Sequence, residues 1–194
     1  MMPRLRCEHK KTHPTKEDIH STRKVSTMKR PPGLKLYPAL LSSQDIHNIL
    51  QRPELPQSRP ECPQLFRLFG DFGGKEASTP SPWMLEWGTR LQEQGFFSTT
   101  PNQYRLCDWI GDLSAQFKWH IDNKRHGKEI LVISLTDQRR IGFRPPTGRG
   151  YYSVELNAGD AYLMRGASRW QWEHCVLPSG QSRSGGKSFI LSAH

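Results

Sequence analysis

The stretch YYSVELNAGDAYLM, residues 151–164, carries the pattern that decides the fold. It holds two short strand candidates, Tyr151–Leu156 and Ala161–Met164, separated by the turn residues Gly159 and Asp160. The same alternation of strands and turns runs on both sides of this stretch and adds six candidates: Gln103–Trp109, Gln116–Asp122, Glu129–Leu135, Ile141–Arg144, Arg169–Val176 and Ser188–Ser192. Many short strands with such punctuation predict a β-sandwich or jelly roll.

Two helices are predicted before these strands. The first covers Gln44–Gln51 and follows Ser42, a residue type that commonly caps a helix. The second runs from Pro82 through Gln94, because proline is tolerated in the first turn. Its large apolar side chains repeat at the spacing of one helical face, at Trp83, Trp87 and Leu91. The predicted fold class is therefore α+β, a double-stranded β-helix (jelly roll) with the N-terminal helices packed on one sheet.

The chain divides into a basic tail and one domain. Residues 1–35 contain ten Lys or Arg against three Asp or Glu, within a net charge of +10 for the 194 residues. Because the tail has few apolar residues, we expect residues 1–31 to be disordered and residues 32–194 to form the domain. Such a tail can hold phosphate backbones or act as a nuclear-import signal, or it can be a solvated leader without a partner.

The composition also bears on the compartment. The apolar runs are too short to cross a bilayer, and the N-terminus lacks the apolar segment of a secretory signal. The cysteines lie far apart in the sequence, so we expect free thiols at Cys7, Cys62, Cys107 and Cys175. We therefore expect a monomeric intracellular protein of the nucleus or the cytoplasm, without membrane association.

Three polar residues form a candidate metal site. His120 and Asp122 are two residues apart at the end of a strand candidate, so their side chains point to the same face. His174 follows after several further strands, enough to return the chain to the same place. Two imidazoles and one carboxylate bind one face of Fe(II) and leave the other positions open. The alternative is a buried histidine that is hydrogen-bonded to a carboxylate, without metal.

The sequence around these residues resembles a known family. In GDAYLMRGASRWQWEH, residues 159–174, a Gly-Asp turn, a hydrophobic strand and an Arg-aromatic segment precede the histidine. Together with the His-x-Asp pair, this stretch closely resembles the AlkB-like Fe(II)/2-oxoglutarate dioxygenases. The strand KEILVISL, residues 128–135, is similar to the family strand that follows the His-x-Asp turn. The resemblance extends over residues 32–194.

The resemblance implies the metal ligands and the co-substrate. It implies that Fe(II) is bound by His120, Asp122 and His174, and that 2-oxoglutarate chelates the same metal. In the family an Arg before the last strand binds the distal carboxylate of 2-oxoglutarate; Lys187 stands in that place, and Arg183 lies nearby as a rival. A lysine supplies the charge but not the bidentate fork of an arginine. Trp109 stands where the family has another co-substrate contact.

The resemblance also implies a nucleic-acid partner. Family members oxidise alkylated bases in DNA or RNA, including tRNA, and some act on proteins. Residues 53–80 lie where the family builds its nucleotide-recognition lid, and their prolines and glycines predict a long irregular connection with Phe72 as an aromatic contact. Further candidates for substrate binding are Lys124, Arg125 and Arg169. Two alternatives are a catalytically degenerate nucleic-acid-binding module of the same fold and a dioxygenase that acts on a protein.

Overall fold

A computed structural model describes residues 28–194 except residues 61, 63, 74–75, 111–117, 137–138, 148 and 178–185. Most of the predicted disordered tail, residues 1–27, lies outside the described residues. The described part of the chain contains nine strands: β1 Lys35–Tyr37, β2 Gln64–Gly70, β3 Gln103–Trp109, β4 Glu129–Ser134, β5 Arg139–Arg144, β6 Tyr152–Leu156, β7 Ala161–Met164, β8 Glu173–Val176 and β9 Gly186–Ala193. Three α-helices accompany them: α1 Ser43–Leu50, α2 Pro82–Glu93 and α3 Ala167–Trp170.

The strands form two antiparallel sheets. The larger sheet has the order β1-β7-β4-β9-β3-β2, and the smaller has the order β6-β5-β8. Strands that are distant in sequence are neighbours in space, since β4 pairs with both β7 and β9. Two antiparallel sheets with such crossing connections are those of a jelly roll, which agrees with the fold predicted from the strand pattern.

Alternation along β9 gives the larger sheet two different faces, because successive side chains of a strand point in opposite directions. On one face Phe189 is fully buried with Trp83 and Met84 of α2 in a hydrophobic cluster, and the Trp83 and Phe189 ring centroids lie 5.1 Å apart. On the other face Ser188 and Ile190 line a cavity between the sheets. Burial of each large apolar side chain of this kind contributes about 1.5–3 kcal/mol to the free energy of folding.

A second buried cluster joins the two sheets. Its members come from strands of both sheets: Ile130, Ile141, Phe143, Leu156, Tyr162 and Met164. Phe143 of β5 meets Tyr162 of β7 edge-on, with the ring centroids 5.5 Å apart. This packing sets the separation of the sheets and so the width of the cavity between them.

The sequence predicts that residues 53–80 form an irregular connection. In the structure, part of this stretch is a β-strand. Residues Gln64–Gly70 form β2, which pairs along its whole length with β3. The prolines of the stretch suggested a connection, but none lies between Pro63 and Pro80. The segment QLFRLFG therefore keeps every backbone N–H group for the ladder.

The predicted strand Arg169–Val176 is too long at its start. Residues Ala167–Trp170 form α3, and β8 begins only at Glu173. The chain enters α3 through Gly166, whose φ of 56° lies in the left-handed region that glycine adopts without strain. Residues 116 and 117 of the predicted strand Gln116–Asp122 lie outside the described residues, and His120 forms an isolated bridge with His174.

The structure tests the expectation of free thiols. Cys62 is disulfide-bonded, whereas Cys107 and Cys175 are free. The expected free thiol at Cys62 is therefore wrong, because spacing in sequence does not report distance in the fold. No helix in the described ranges is long and apolar enough to cross a membrane.

Candidate metal centre

The three predicted ligands meet at one place in the fold. The ligand atoms of His120, Asp122 and His174 all lie within 4.8 Å of one another. His120 and Asp122 precede β4, and His174 lies on β8 of the smaller sheet. The interpretation of the two motifs as one site is therefore supported by the geometry, although they are far apart in sequence.

Backbone hydrogen bonds hold the two histidines side by side. His120 N donates to His174 O at 3.2 Å, and His174 N donates to His120 O at 2.8 Å, so the ring centroids lie 4.4 Å apart. The Nδ1 atom of His120 lies 2.8 Å from Lys118 O. Because a carbonyl oxygen only accepts, Nδ1 carries the proton and the Nε2 lone pair is left for a metal.

The electrostatics of the site favour a neutral imidazole beside an ionised carboxylate. His174 Nε2 lies 3.5 Å from Asp122 Oδ2. Burial lowers the pKa of His174 to about 4, against the opposing pull of Asp122. Burial works against the charge of Asp122, but His174 and Arg105 favour it, and the pKa of this carboxyl lies below its usual value. These are the protonation states that a metal ligand requires.

Arg169 supports the turn that follows the His-x-Asp pair. Its side chain is 1% exposed, and it donates to Gly127 O at 3.0 Å, Asp122 O at 3.0 Å and Asn123 O at 2.8 Å. Three of the five N–H donors of this buried guanidinium, one on each nitrogen, bind backbone carbonyls. In this structure Arg169 fixes the backbone of a metal ligand, and its contact with a substrate stays a prediction.

A cavity of about 220 Å³ opens beside the three ligands. Both sheets line it, with an apolar wall that includes Ile130, Val132, Ile141, Leu156 and Ile190. Two arginines also line it, Arg105 of β3 and Arg139 of β5. Arg105 contacts the His126 ring, and its charge acts on Asp122. Arg139 lies over the Trp109 ring, with Cζ 3.6 Å from the ring centroid.

The residues present fit Fe(II) and a carboxylate co-substrate. Two imidazoles and one carboxylate are the donor set of non-haem Fe(II) oxygenases. Two polar atoms that belong to cavity-lining residues, Ser188 Oγ and Arg105 Nε, are buried without a hydrogen-bond partner among the described residues. Unsatisfied buried donors are costly, so a ligand with carboxylate oxygens matches what this cavity lacks.

The predicted co-substrate residues have different positions. Trp109 lines the cavity. Lys187 lies on the opposite face of β9 from Ser188, and its Nζ pairs with Asp108 Oδ1 at 2.8 Å. Its position therefore does not fit the role of carboxylate ligand, because one residue of register separates it from the cavity. Arg183 lies outside the described residues.

The predicted substrate residues lie around the metal ligands. Lys124 and Arg125 are exposed on a single 3₁₀ turn directly after Asp122. Phe72 is 2% exposed and meets the His126 ring edge-on at 5.8 Å. Its ring is therefore packed inside the protein in this structure, and it is not displayed for stacking on a base as the sequence predicts.

Sequence reasoning missed Arg105, Arg139 and Ser188 as cavity residues. The signal that could have found Arg105 is the period of two along β3, which places Arg105, Cys107 and Trp109 on one face. The same period on β5 and β9 places Arg139 with Ile141, and Ser188 with Ile190. What the sequence does not contain is which of the two faces of each strand points inward.

Comparison with known proteins gives a consistent result. A family model described as the 2OG-Fe(II) oxygenase superfamily matches residues 74–189, while no curated protein sequence matches the chain. A solved structure named OsALKBH1 is 12% identical, with a TM-score of 0.55 over 84% of this chain and 98% of that chain. A 2OG-Fe(II) oxygenase family oxidoreductase from Burkholderia pseudomallei is 15% identical, with a TM-score of 0.59 over 82% and 83%. These two likenesses show a shared fold.

Proposed function

Because the chain belongs to the 2OG-Fe(II) oxygenase superfamily, we propose that it oxidises a modified base of a nucleic acid, by removal of an N-methyl group or by hydroxylation. The AlkB-like resemblance is confirmed by the family match and the shared fold. The protein is thus a dioxygenase whose family uses Fe(II) and 2-oxoglutarate. The observation that carries the proposal is the convergence of His120, Asp122 and His174 beside a cavity.

The residues of the chain have distinct tasks in this reaction. His120 Nε2, the Asp122 carboxylate and His174 Nε2 would hold Fe(II), and Arg169 fixes the backbone of Asp122. When bound, Fe(II) and 2-oxoglutarate supply the reduction of O2, coupled to decarboxylation of the co-substrate, that inserts oxygen into a substrate C–H bond. The apolar wall of the cavity keeps bulk water from the reacting atoms.

Two features support a nucleic acid as the substrate. The chain has a net charge of +10, and the exposed pair Lys124 and Arg125 lies two and three residues after Asp122. Cations beside the metal suit a phosphate backbone that must pass close to a flipped base. The AlkB-like resemblance implies the same substrate class.

The test is a product assay on defined oligonucleotides. Purified full-length protein is incubated with Fe(II), 2-oxoglutarate and methylated single-stranded DNA, RNA or tRNA, and nucleosides are quantified by mass spectrometry together with succinate. We expect loss of one methylated nucleoside, with succinate formed in proportion. The variant His174→Ala should form neither product.

The remaining outcomes separate the alternatives. Succinate that forms without any change in the nucleosides, and that rises on addition of a protein extract, would indicate a protein substrate. Salt-dependent binding of the oligonucleotide without succinate would indicate a degenerate nucleic-acid-binding module. Either result would overturn the proposed base oxidation.

A further inference from the structure

The two arginines of the cavity occupy different positions relative to the metal ligands. Phe143 pairs directly with His174 across β5 and β8. Arg139 lies four residues before Phe143 on the same inward face of β5, which is about 13 Å along the strand. Arg105 instead lies close enough for its charge to act on Asp122 and His174. The cavity therefore has a cation at the metal end and another far from it.

Arg139 is buried, and no carboxylate of the described residues is paired with it. It is 7% exposed. Burial lowers the pKa of its guanidinium to about 10, so it remains charged at neutral pH. Burial of an unpaired charge destabilises the folded protein. A bound ligand of opposite charge would offset that cost.

A hydroxyl group lies on the face of β9 that this guanidinium contacts. Nη2 of Arg139 packs so tightly against Gly186 that a methyl group there would overlap it. Ser188 is two residues further along β9 on the same face, and its Oγ is buried beside the Cys107 thiol, with no nitrogen or oxygen partner in the described part of the chain. Trp109 pairs with Gly186 across β3 and β9, and its ring packs against the guanidinium.

We propose that Arg139, with Ser188 Oγ beside it, binds the distal carboxylate of 2-oxoglutarate. This assignment rests on the co-substrate of the proposed function and moves the carboxylate site from β9, where sequence places Lys187, to β5. A guanidinium that packs on an indole ring can present a pair of donors to a carboxylate. Lys187 is already paired with Asp108 on the other face of the sheet.

The first test compares two ligands that differ only at the distal end. 2-Oxopentanoate has the keto acid of 2-oxoglutarate but a methyl group in place of the distal carboxylate. Their affinities for the anaerobic Fe(II) protein are measured by the visible charge-transfer band. We expect Arg139→Gln to lower the affinity for 2-oxoglutarate by at least ~30-fold and to leave the affinity for 2-oxopentanoate unchanged. The protein would then no longer discriminate between the two ligands.

Further variants keep the test decisive if Arg139→Gln does not fold. Arg139→Lys should lower the affinity for 2-oxoglutarate less than Arg139→Gln does, because the positive charge remains although the bidentate donor geometry is lost. Gly186→Ala should also weaken it, since the new methyl group displaces only the end of the Arg139 side chain. Lys187→Met is the matched control and should bind 2-oxoglutarate as the wild type does.

Each outcome has a defined meaning. Wild-type discrimination in Arg139→Gln, or in both Arg139→Lys and Gly186→Ala, overturns the assignment, and so does loss of 2-oxoglutarate binding in Lys187→Met. Co(II) affinity, measured separately, should stay constant in all four variants. Binding of 2-oxoglutarate needs no nucleic acid, so failure of base oxidation with normal ligand discrimination refutes the substrate proposal alone.

Discussion

Arg169 donates a hydrogen bond from Nη1 to the carbonyl oxygen of Asp122, 3.0 Å away. The same guanidinium also reaches Gly127 O and Asn123 O, so one side chain holds both ends of the turn that follows the His-x-Asp pair. Because α3 carries Arg169 and lies just before β8 and His174, the contact connects the two sequence motifs that supply the metal ligands.

We expect Arg169→Lys to weaken metal binding without removing a ligand. A lysine has one nitrogen and cannot reproduce three hydrogen bonds that come from three different nitrogens, and loss of outer contacts of this kind typically costs 10–100-fold in metal affinity. The free energy of unfolding should fall by about 2–4 kcal/mol, because buried carbonyls lose a charged donor. Co(II) titration and urea unfolding measure the two effects. Arg165→Lys keeps the charge near Glu129, 3.9 Å away, and near Tyr37; it is the control and should change neither.

Removal of a ligand should have a larger and more selective effect. His174→Ala and Asp122→Ala each leave two donors, and we expect Co(II) affinity to fall by more than the ~100-fold that an outer hydrogen bond costs. His47→Ala, an exposed histidine on α1, should bind Co(II) normally. Affinities in the two ligand variants that match the wild type would show that the cluster is a satisfied histidine pair without a metal.

The sequence predicted the ligands because their geometry is local. Two residues two apart on a strand share a face whatever the rest of the fold does, so His120 and Asp122 could be paired in advance. The co-substrate residues depend on register instead, and a shift of one residue exchanges the two faces of β9. Lys187 and Ser188 are adjacent in sequence, yet only Ser188 lines the cavity.

Burial was the second quantity that the sequence did not contain. Arginine is usually exposed, and Arg169 lies in a stretch that alternates like a strand. In the structure a single turn of helix instead directs its side chain into the protein, where it donates to three carbonyls. Phe72 is a second example, because its glycine-rich neighbourhood suggested an exposed aromatic ring, whereas the ring is buried. Both positions depend on contacts between segments that are distant in sequence.

The pair Lys187–Asp108 should contribute to stability rather than to co-substrate binding. The two residues face each other across β3 and β9, and Asp108 also accepts from Ser58 N at 2.7 Å. We expect Lys187→Met to lower the free energy of unfolding by about 1–2 kcal/mol, because it leaves a buried carboxylate with one fewer partner. A double-mutant cycle with Asp108→Asn, followed by urea unfolding, should give a coupling of ~0.5–3 kcal/mol. Additive effects would show that the pair is not coupled.

Gly88 of α2 provides a prediction in which packing reverses helix propensity. On an exposed helix, replacement of glycine by alanine stabilises by about 1 kcal/mol. Here a methyl group would overlap the hydroxyl of Tyr104, which is fully buried and donates to Pro101 O at 2.8 Å. We expect Gly88→Ala to destabilise by about 1–3 kcal/mol, since overpacking displaces the ring. A higher urea midpoint in this variant would contradict the packing of α2 on the larger sheet.

The exposed cations beside Asp122 should determine how substrate binding depends on salt. Truncation of Lys124 and Arg125 to Ala leaves the turn intact, because Asn123 Oδ1 still accepts from the backbone N of residue 125. For a single-stranded ligand the slope of log K against log salt should become shallower by about 0.7 for each lost phosphate contact. The matched control is Lys35→Ala/Arg90→Ala, which removes the same charge from exposed positions on β1 and α2. Fluorescence anisotropy over a range of salt concentrations measures both slopes. Equal slopes in the two double variants would show that net charge alone attracts the nucleic acid and that the turn makes no phosphate contact.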